Sequence, residues 1–146
     1  MYRSHCALAN FLDHFGDKWS LIIIRDMFLE KKSFNDFLTS PEGIASNILT
    51  NRLKSLMKEG FIDYKINPSN KKVKWYYLND SATECYPILM EMVNWSSRNI
   101  TKTFGPASIK WIKENKSDSP KTLSERKISD YKKFRQQIFD NSLDQS

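Results

Sequence analysis

The sequence is poor in the residues that mark several protein classes. Its 146 residues include two cysteines, Cys6 and Cys85, too few for a disulfide framework and suited to a reducing compartment. Glycine occurs four times and proline five, which disfavours a turn-rich β fold and favours helices. The two histidines, His5 and His14, stand nine apart. That is off the one-face spacing of helical zinc ligands, and no Cys or acidic pattern supports a metal site. No nucleophile–base pair or phosphate loop is visible, so no catalytic residue, metal or cofactor is expected. The longest apolar stretch, Trp19 to Leu29, is broken by Ser20, Arg25 and Asp26, so no membrane span is expected. Residues 1–15 contain Arg3, His5, Asp13 and His14 and no sustained apolar run. No signal peptide is therefore expected, and the expected location is the cytoplasm.

What is present supports a packed core: 40% of residues are hydrophobic and 13% aromatic, which argues against disorder throughout. The formal net charge is +6, with +2 in residues 1–100 and +4 in residues 101–146. Placement matters more than the total. Residues 52–74 hold Arg52, Lys54, Lys58, Lys65, Lys71, Lys72 and Lys74 against Glu59 and Asp63, a cluster that would attract a polyanion. A solvated surface is the plainer reading of such a cluster taken alone.

Periodicity predicts a mainly helical α+β chain. Residues 6–15 read as a short helix ended by Gly16, with Asp17 able to cap the next. Residues 18–30, apolar on most sides, read as a central helix. Ser33 caps a short helix through Leu38, with Asp36 as an imperfect capping-box partner, and Ser40-Pro41-Glu42-Gly43 is a turn signal. A longer helix runs from Ala45 to Glu59 and stops at Gly60, with Leu49, Leu53, Leu56 and Met57 forming one stripe. The period then becomes two. Phe61–Ile66 and Lys71–Leu78 read as strands around an Asn67–Asn70 turn, a hairpin that must lean on the helices. Residues 81–100 read as a further helix, kinked at Pro87 or starting near it. Residues 101–146 form a charged helical extension, with amphipathic segments near 107–115 and 124–140.

Short helix, turn, longer helix and basic hairpin follow the order of a winged helix-turn-helix with a two-stranded β-wing. With Leu49 at the centre of the buried face, 100° steps place Asn47, Asn51, Lys54 and Lys58 opposite, and Thr50 and Arg52 on the flanks. Asn matches an adenine edge and Arg a guanine. Ser46 and Thr50 near the helix start can bind phosphate. Lys54 is placed on backbone, and Lys71, Lys72 and Lys74 at the hairpin tip. Lys32 and Ser33, opening the first helix of the unit, complete the candidate DNA-binding set.

These motifs resemble the HxlR-type winged-helix regulators over residues 6–98. The family pattern is matched by Cys6 ahead of a first helix, by Gly16, Trp19 and the run Leu21–Ile24, and by Phe34 and Phe37. It continues through Ile44–Leu53, Leu56 and Gly60, then Tyr76 and Leu78 of the wing, and Trp95. Lys31 and Lys32 sit one place earlier than the usual basic pair, and Asn79 and Ala82 replace a usual Thr and Gly. The resemblance implies a homodimer built by flanking N- and C-terminal dimerisation helices and reading an inverted repeat in double-stranded DNA; Phe11, Trp95 and the tail aromatics are the expected interface material. It also implies that Cys6, at a helix start near Arg3 and His5, could sense oxidants or electrophiles; a buried or idle thiol is the competing reading. Two further function classes compete with DNA binding: an enzyme, and a winged-helix protein-interaction module. The domain organisation expected is 1–100 as the DNA-binding unit with dimerisation helices and 101–146 as the extension.

Overall fold

A computed structural model describes residues 1–145. Its elements are α1 (Ala7–Phe15), α2 (Ser20–Phe28), α3 (Phe34–Leu38), α4 (Ser46–Lys58), β1 (Ile62–Ile66), β2 (Lys74–Leu78), α5 (Asp80–Thr83), α6 (Tyr86–Asn99), α7 (Pro106–Ser117) and α8 (Pro120–Asn141). The architecture is the expected one: mainly helical, with an antiparallel two-stranded hairpin in the register Ile62↔Leu78 to Ile66↔Lys74.

Each helix end has a local cause. Gly16 donates to the Leu12 carbonyl at 2.8 Å, and a Cβ at Gly16 would press on that same carbonyl. Asp17 accepts from the N–H groups of Trp19 and Ser20, both at 2.9 Å, and so caps α2. Ser33 and Asp36 form a complete capping box at α3, where the sequence pattern suggests an imperfect one. Gly60, at φ +82°, ends α4. There the Phe61 N–H reaches back to Leu56 O and Gly60 N–H to Met57 O, each at 3.0 Å, the paired closure that a left-handed residue makes possible. The helix expected over 81–100 is divided: α5 ends before Cys85, and α6 begins with Pro87 in its first turn, where a missing N–H costs nothing.

β2 starts at Lys74, three residues later than expected. Asn67 and Asn70 each accept a backbone N–H with the side-chain oxygen, from Ser69 at 2.9 Å and Lys72 at 3.2 Å. Two consecutive Asx-type turns therefore occupy 67–73, and Lys71 and Lys72 lie on the loop.

The core joins Phe15, Ile23, Ile24, Met27 and Phe37 to Leu49, Leu53 and Leu56 of α4, Ile62, Tyr76 and Leu78 of the hairpin, and Tyr131 of α8. A second cluster of Tyr86, Met90 and Leu123 is flanked by Phe28, Trp111 and Ile128. The 101–145 segment thus supplies side chains to both. This corrects the expectation that the tail aromatics are free for an interface. Tyr131 is buried, Trp111 and Phe134 pack on the chain's own core, and Phe139 meets Tyr77 edge-on at 4.8 Å. Phe11 likewise packs inward, 4.9 Å from the Phe15 ring. Trp95 remains 56% exposed.

Candidate nucleic-acid interface

The site is built on α4. Leu49, Leu53 and Leu56 are at most 2% exposed, and burying such side chains contributes roughly 1.5–3 kcal/mol each. That docked stripe fixes which way the opposite side faces. Asn47, Thr50, Asn51 and Lys54 are all exposed, and with Ser55 and Lys58 they line one shallow depression of about 420 Å³. Ile48, 36% exposed at the edge of this face, is an aliphatic residue that the polar-face reading of α4 leaves out; its position off the leucine stripe is the available signal.

The start of α4 is open. Its N-cap, Ala45, offers no side-chain oxygen, and no acidic residue occupies the first turn. The first-turn amides therefore lack the capping partner that would compete with an anion. Thr50 Oγ1 donates back to the Ser46 carbonyl at 2.9 Å. Asn51, exposed, accepts from Arg52 with its Oδ1 at 3.1 Å, so its amide N–H₂ group is the donor left to read a base.

Several expected contact residues have partners within the chain. Arg52 is half-buried, 3.6 Å from the Asp17 carboxylate and 3.5 Å from Ser55 Oγ. Burial works against the Asp17 carboxylate, but the Ser20 hydroxyl, the Trp19 and Ser20 N–H groups and Arg52 outweigh it and hold its pKa below the usual range. Lys32 places its ammonium 3.9 Å over the Trp75 ring while its carbonyl accepts from Tyr76 N–H at 2.7 Å. Ser33 Oγ accepts from Asp36 N–H at 3.1 Å in the cap. Lys65, part of the basic cluster, pairs with Asp144 at 2.6 Å. Lys71 and Lys72 are exposed on the loop, and Lys74 is exposed with its ammonium 4.5 Å from the Tyr64 ring centre.

The turn that aims α4 is anchored by a buried charge that sequence reasoning does not single out. Asp26 is 2% exposed. It accepts from Arg25 at 2.8 Å and from the Ser40 hydroxyl, with the Lys31 ammonium 3.8 Å away. Arg25 also forks onto Glu42 with two 2.8 Å bonds. Ser40 and Glu42 belong to the turn before α4, so α2 fixes that turn through a hydrogen-bonded carboxylate, the form in which a buried charge is tolerated. The available signal is a lone Arg-Asp pair inside an otherwise apolar helix.

Cys6 is exposed at the N-cap position of α1, and Cys85 is buried. Burial, with Glu84 nearby, pushes the Cys85 thiol up to about 11.

The sequence model of the HxlR-like helix-turn-helix proteins matches residues 14–104. The chain belongs to the HxlR-like family. Its relatives are transcriptional regulators of helix-turn-helix type. It is 28% identical over 97 residues to YybR of Bacillus subtilis, covering 66% of this chain and 78% of that one. It is 26% identical over 87 residues to sll1512 of Synechocystis, covering 60% of this chain and 64% of that one. The match therefore spans just under two thirds of the Synechocystis regulator.

Among solved structures, PA1607, a candidate transcription factor, superposes with a TM-score of 0.62 at 32% identity, over 71% of this chain and 70% of that one. The redox regulator HypR in its oxidized form gives 0.59 at 28% identity, over 66% of this chain and 100% of that one. A SlyA-like regulator from Listeria monocytogenes shares the fold over 88% of this HxlR-like chain and 89% of its own, with a TM-score of 0.53 at 20% identity. No helix among the described residues is long and apolar enough to cross a membrane.

Proposed function

We propose that this HxlR-like protein is a cytoplasmic, sequence-specific DNA-binding regulator that reads an inverted-repeat operator as a homodimer. One observation carries the reading: the exposed side of α4 collects Asn47, Thr50, Asn51 and Lys54 into a single depression while its leucines are buried. A helix with that division docks by one side and can enter the major groove by the other. Asn47 and Asn51 are the base-reading candidates, and Ile48 is placed to meet a thymine methyl. The uncapped start of α4 suits a phosphate. Lys71, Lys72 and Lys74 are assigned to sugar-phosphate contacts, which fix register without reading sequence.

A two-fold operator needs a two-fold protein. Leu8 and Leu12 on α1, and Ile88, Met92 and Trp95 on α6, are exposed apolar stripes at helical spacing. They support a dimer interface formed by these two helices.

The test is binding to duplex DNA. Binding to random sequence that weakens steeply with salt, together with a protected inverted repeat in the DNA flanking the protein's own gene, is the expected result. Salt-insensitive or absent duplex binding would favour a winged-helix protein-interaction module. A second reading, oxidant or electrophile sensing, is favoured by the exposure of Cys6 at a helix start. Its test compares operator affinity before and after oxidation in the parent protein and in Cys6→Ser. Equal responses would remove Cys6 from the account.

A further inference from the structure

The family match ends at residue 104, yet the wing is held from the far end of the chain. Leu143 bridges Ile66 with two backbone hydrogen bonds of 2.7 and 2.8 Å. Asp144 takes the Lys65 ammonium, and Gln145 donates to Asp63 Oδ1 at 2.6 Å and to the Tyr64 carbonyl at 2.8 Å. On the other strand, the Leu78 N–H donates to the buried Tyr131 hydroxyl at 2.7 Å, and Arg135 donates to the Leu78 carbonyl at 2.8 Å and to Asp80 at 2.9 Å. Phe139 packs on Tyr77 between these two points.

The two attachments differ in kind. The one at Leu78 is buried, so opening it would strand a backbone N–H at a cost that keeps it closed. The one at Ile66 is exposed, with Leu143 at 42% and the Asp144 side chain at 89%. Surface pairs of this kind are weak and exchange with water. A two-stranded hairpin is itself only marginally ordered, and an uncovered edge strand leaves its outer backbone groups unpaired.

We propose that α8 and the 143–145 tail form a wing-positioning element, with a fixed hinge at Leu78 and a releasable clasp at Ile66. The clasp sets the order and angle of the hairpin, and through it the grip of Lys71 and Lys72 on a duplex. Tyr131, Arg135 and Leu143 are positioning residues in this scheme. The use of the wing on DNA rests on the function proposed above; the clasp itself does not.

The test uses the full-length chain carrying Leu143→Pro, which removes the N–H that donates to Ile66. A second variant, Asp144→Ala with Gln145→Ala, loosens the same clasp without a proline. In both, amide exchange at residues 64–67 is expected to accelerate about tenfold. Binding to a random-sequence duplex is expected to weaken about 3- to 10-fold, and that loss should largely vanish in a Lys71→Ala, Lys72→Ala background, because residues acting as one unit are non-additive. Unchanged exchange in both variants would overturn the clasp. An affinity loss of the same size without the two lysines would overturn its action through the wing. If the parent protein binds no duplex, the DNA reading falls, and the exchange measurement alone decides whether the tail holds the hairpin.

Discussion

Replacing Asn51 and Lys72 by alanine separates reading from holding. Asn51 lies on the exposed side of α4, and its side-chain oxygen accepts from Arg52 at 3.1 Å. Asn51→Ala therefore removes no buried contact. Alanine's better helix propensity, worth up to ~0.7 kcal/mol, offsets the loss of an exposed hydrogen bond of ~0.5–1 kcal/mol, so fold stability should barely move. A bidentate contact from Asn to adenine carries ~1–3 kcal/mol of discrimination. The variant should lose roughly 5- to 150-fold on the operator and little on random duplex. Lys72 sits on the exposed loop after Asn70. Lys72→Ala should weaken operator and random duplex alike and reduce the salt slope by about one unit. Electrophoretic or anisotropy titrations on both duplexes at several salt concentrations give all four numbers. A uniform loss from both variants would refute the division of roles.

Two stability predictions follow from the backbone and the caps. Glu30 ends α2 at φ +67° with its N–H on Met27 O, a conformation that costs a non-glycine residue ~1–2 kcal/mol. Against the ~0.5–1 kcal/mol entropic cost of glycine, Glu30→Gly should stabilise by about 0.5–1 kcal/mol, read as a higher urea midpoint at unchanged slope; a lower midpoint would contradict it. Burial opposes the Asp36 carboxylate, but the Lys32 and Ser33 N–H groups and the Ser33 hydroxyl hold its pKa below the usual range. A depressed folded-state pKa contributes stability above the unfolded value near ~3.9 and loses it as pH falls through the folded value. Asp36→Ala should therefore cost about 1–2 kcal/mol at neutral pH and progressively less as pH falls below the unfolded value near ~3.9. A cost independent of pH would mean that the box does not work through its charge.

The sequence discloses those features that repeat with a period. The leucine stripe of α4 recurs every turn, so its burial and the exposure of Asn47 and Asn51 opposite can be read directly. The hairpin is legible from alternation, but alternation starts its second strand too early, because nothing periodic announces that Asn70 folds its side chain into a second turn. Pairings between distant residues leave no trace. Arg52 and Asp17 look like a base-reading side chain and a simple cap until the fold puts them 3.6 Å apart. Lys32 looks like a free cation until Trp75 arrives beneath it. Residues 143–145 look like a polar tail until they meet β1.

Those distant pairings change how strongly salt should oppose binding. Counting every cation from the basic cluster, with Lys32, gives eight per protomer: Lys32, Arg52, Lys54, Lys58, Lys65, Lys71, Lys72 and Lys74. If each neutralised a phosphate in a dimer, the slope of log K against log salt would approach about −14. Arg52 is turned toward Asp17, Lys65 pairs with Asp144, and Lys32 is half-buried against the Trp75 and Phe134 rings, whereas Lys74 stays exposed beside Tyr64. A cation already engaged within the chain is not free to displace a counterion from DNA. The remaining five cations per protomer set a limit of about −9 for a dimer. Breaking the pair with Asp144→Ala should then steepen the slope wherever Lys65 can reach a phosphate, even as the loosened clasp weakens the overall grip. A measured slope well beyond −9 in the parent protein would mean that these pairs open on binding and that the buffered cations join the interface.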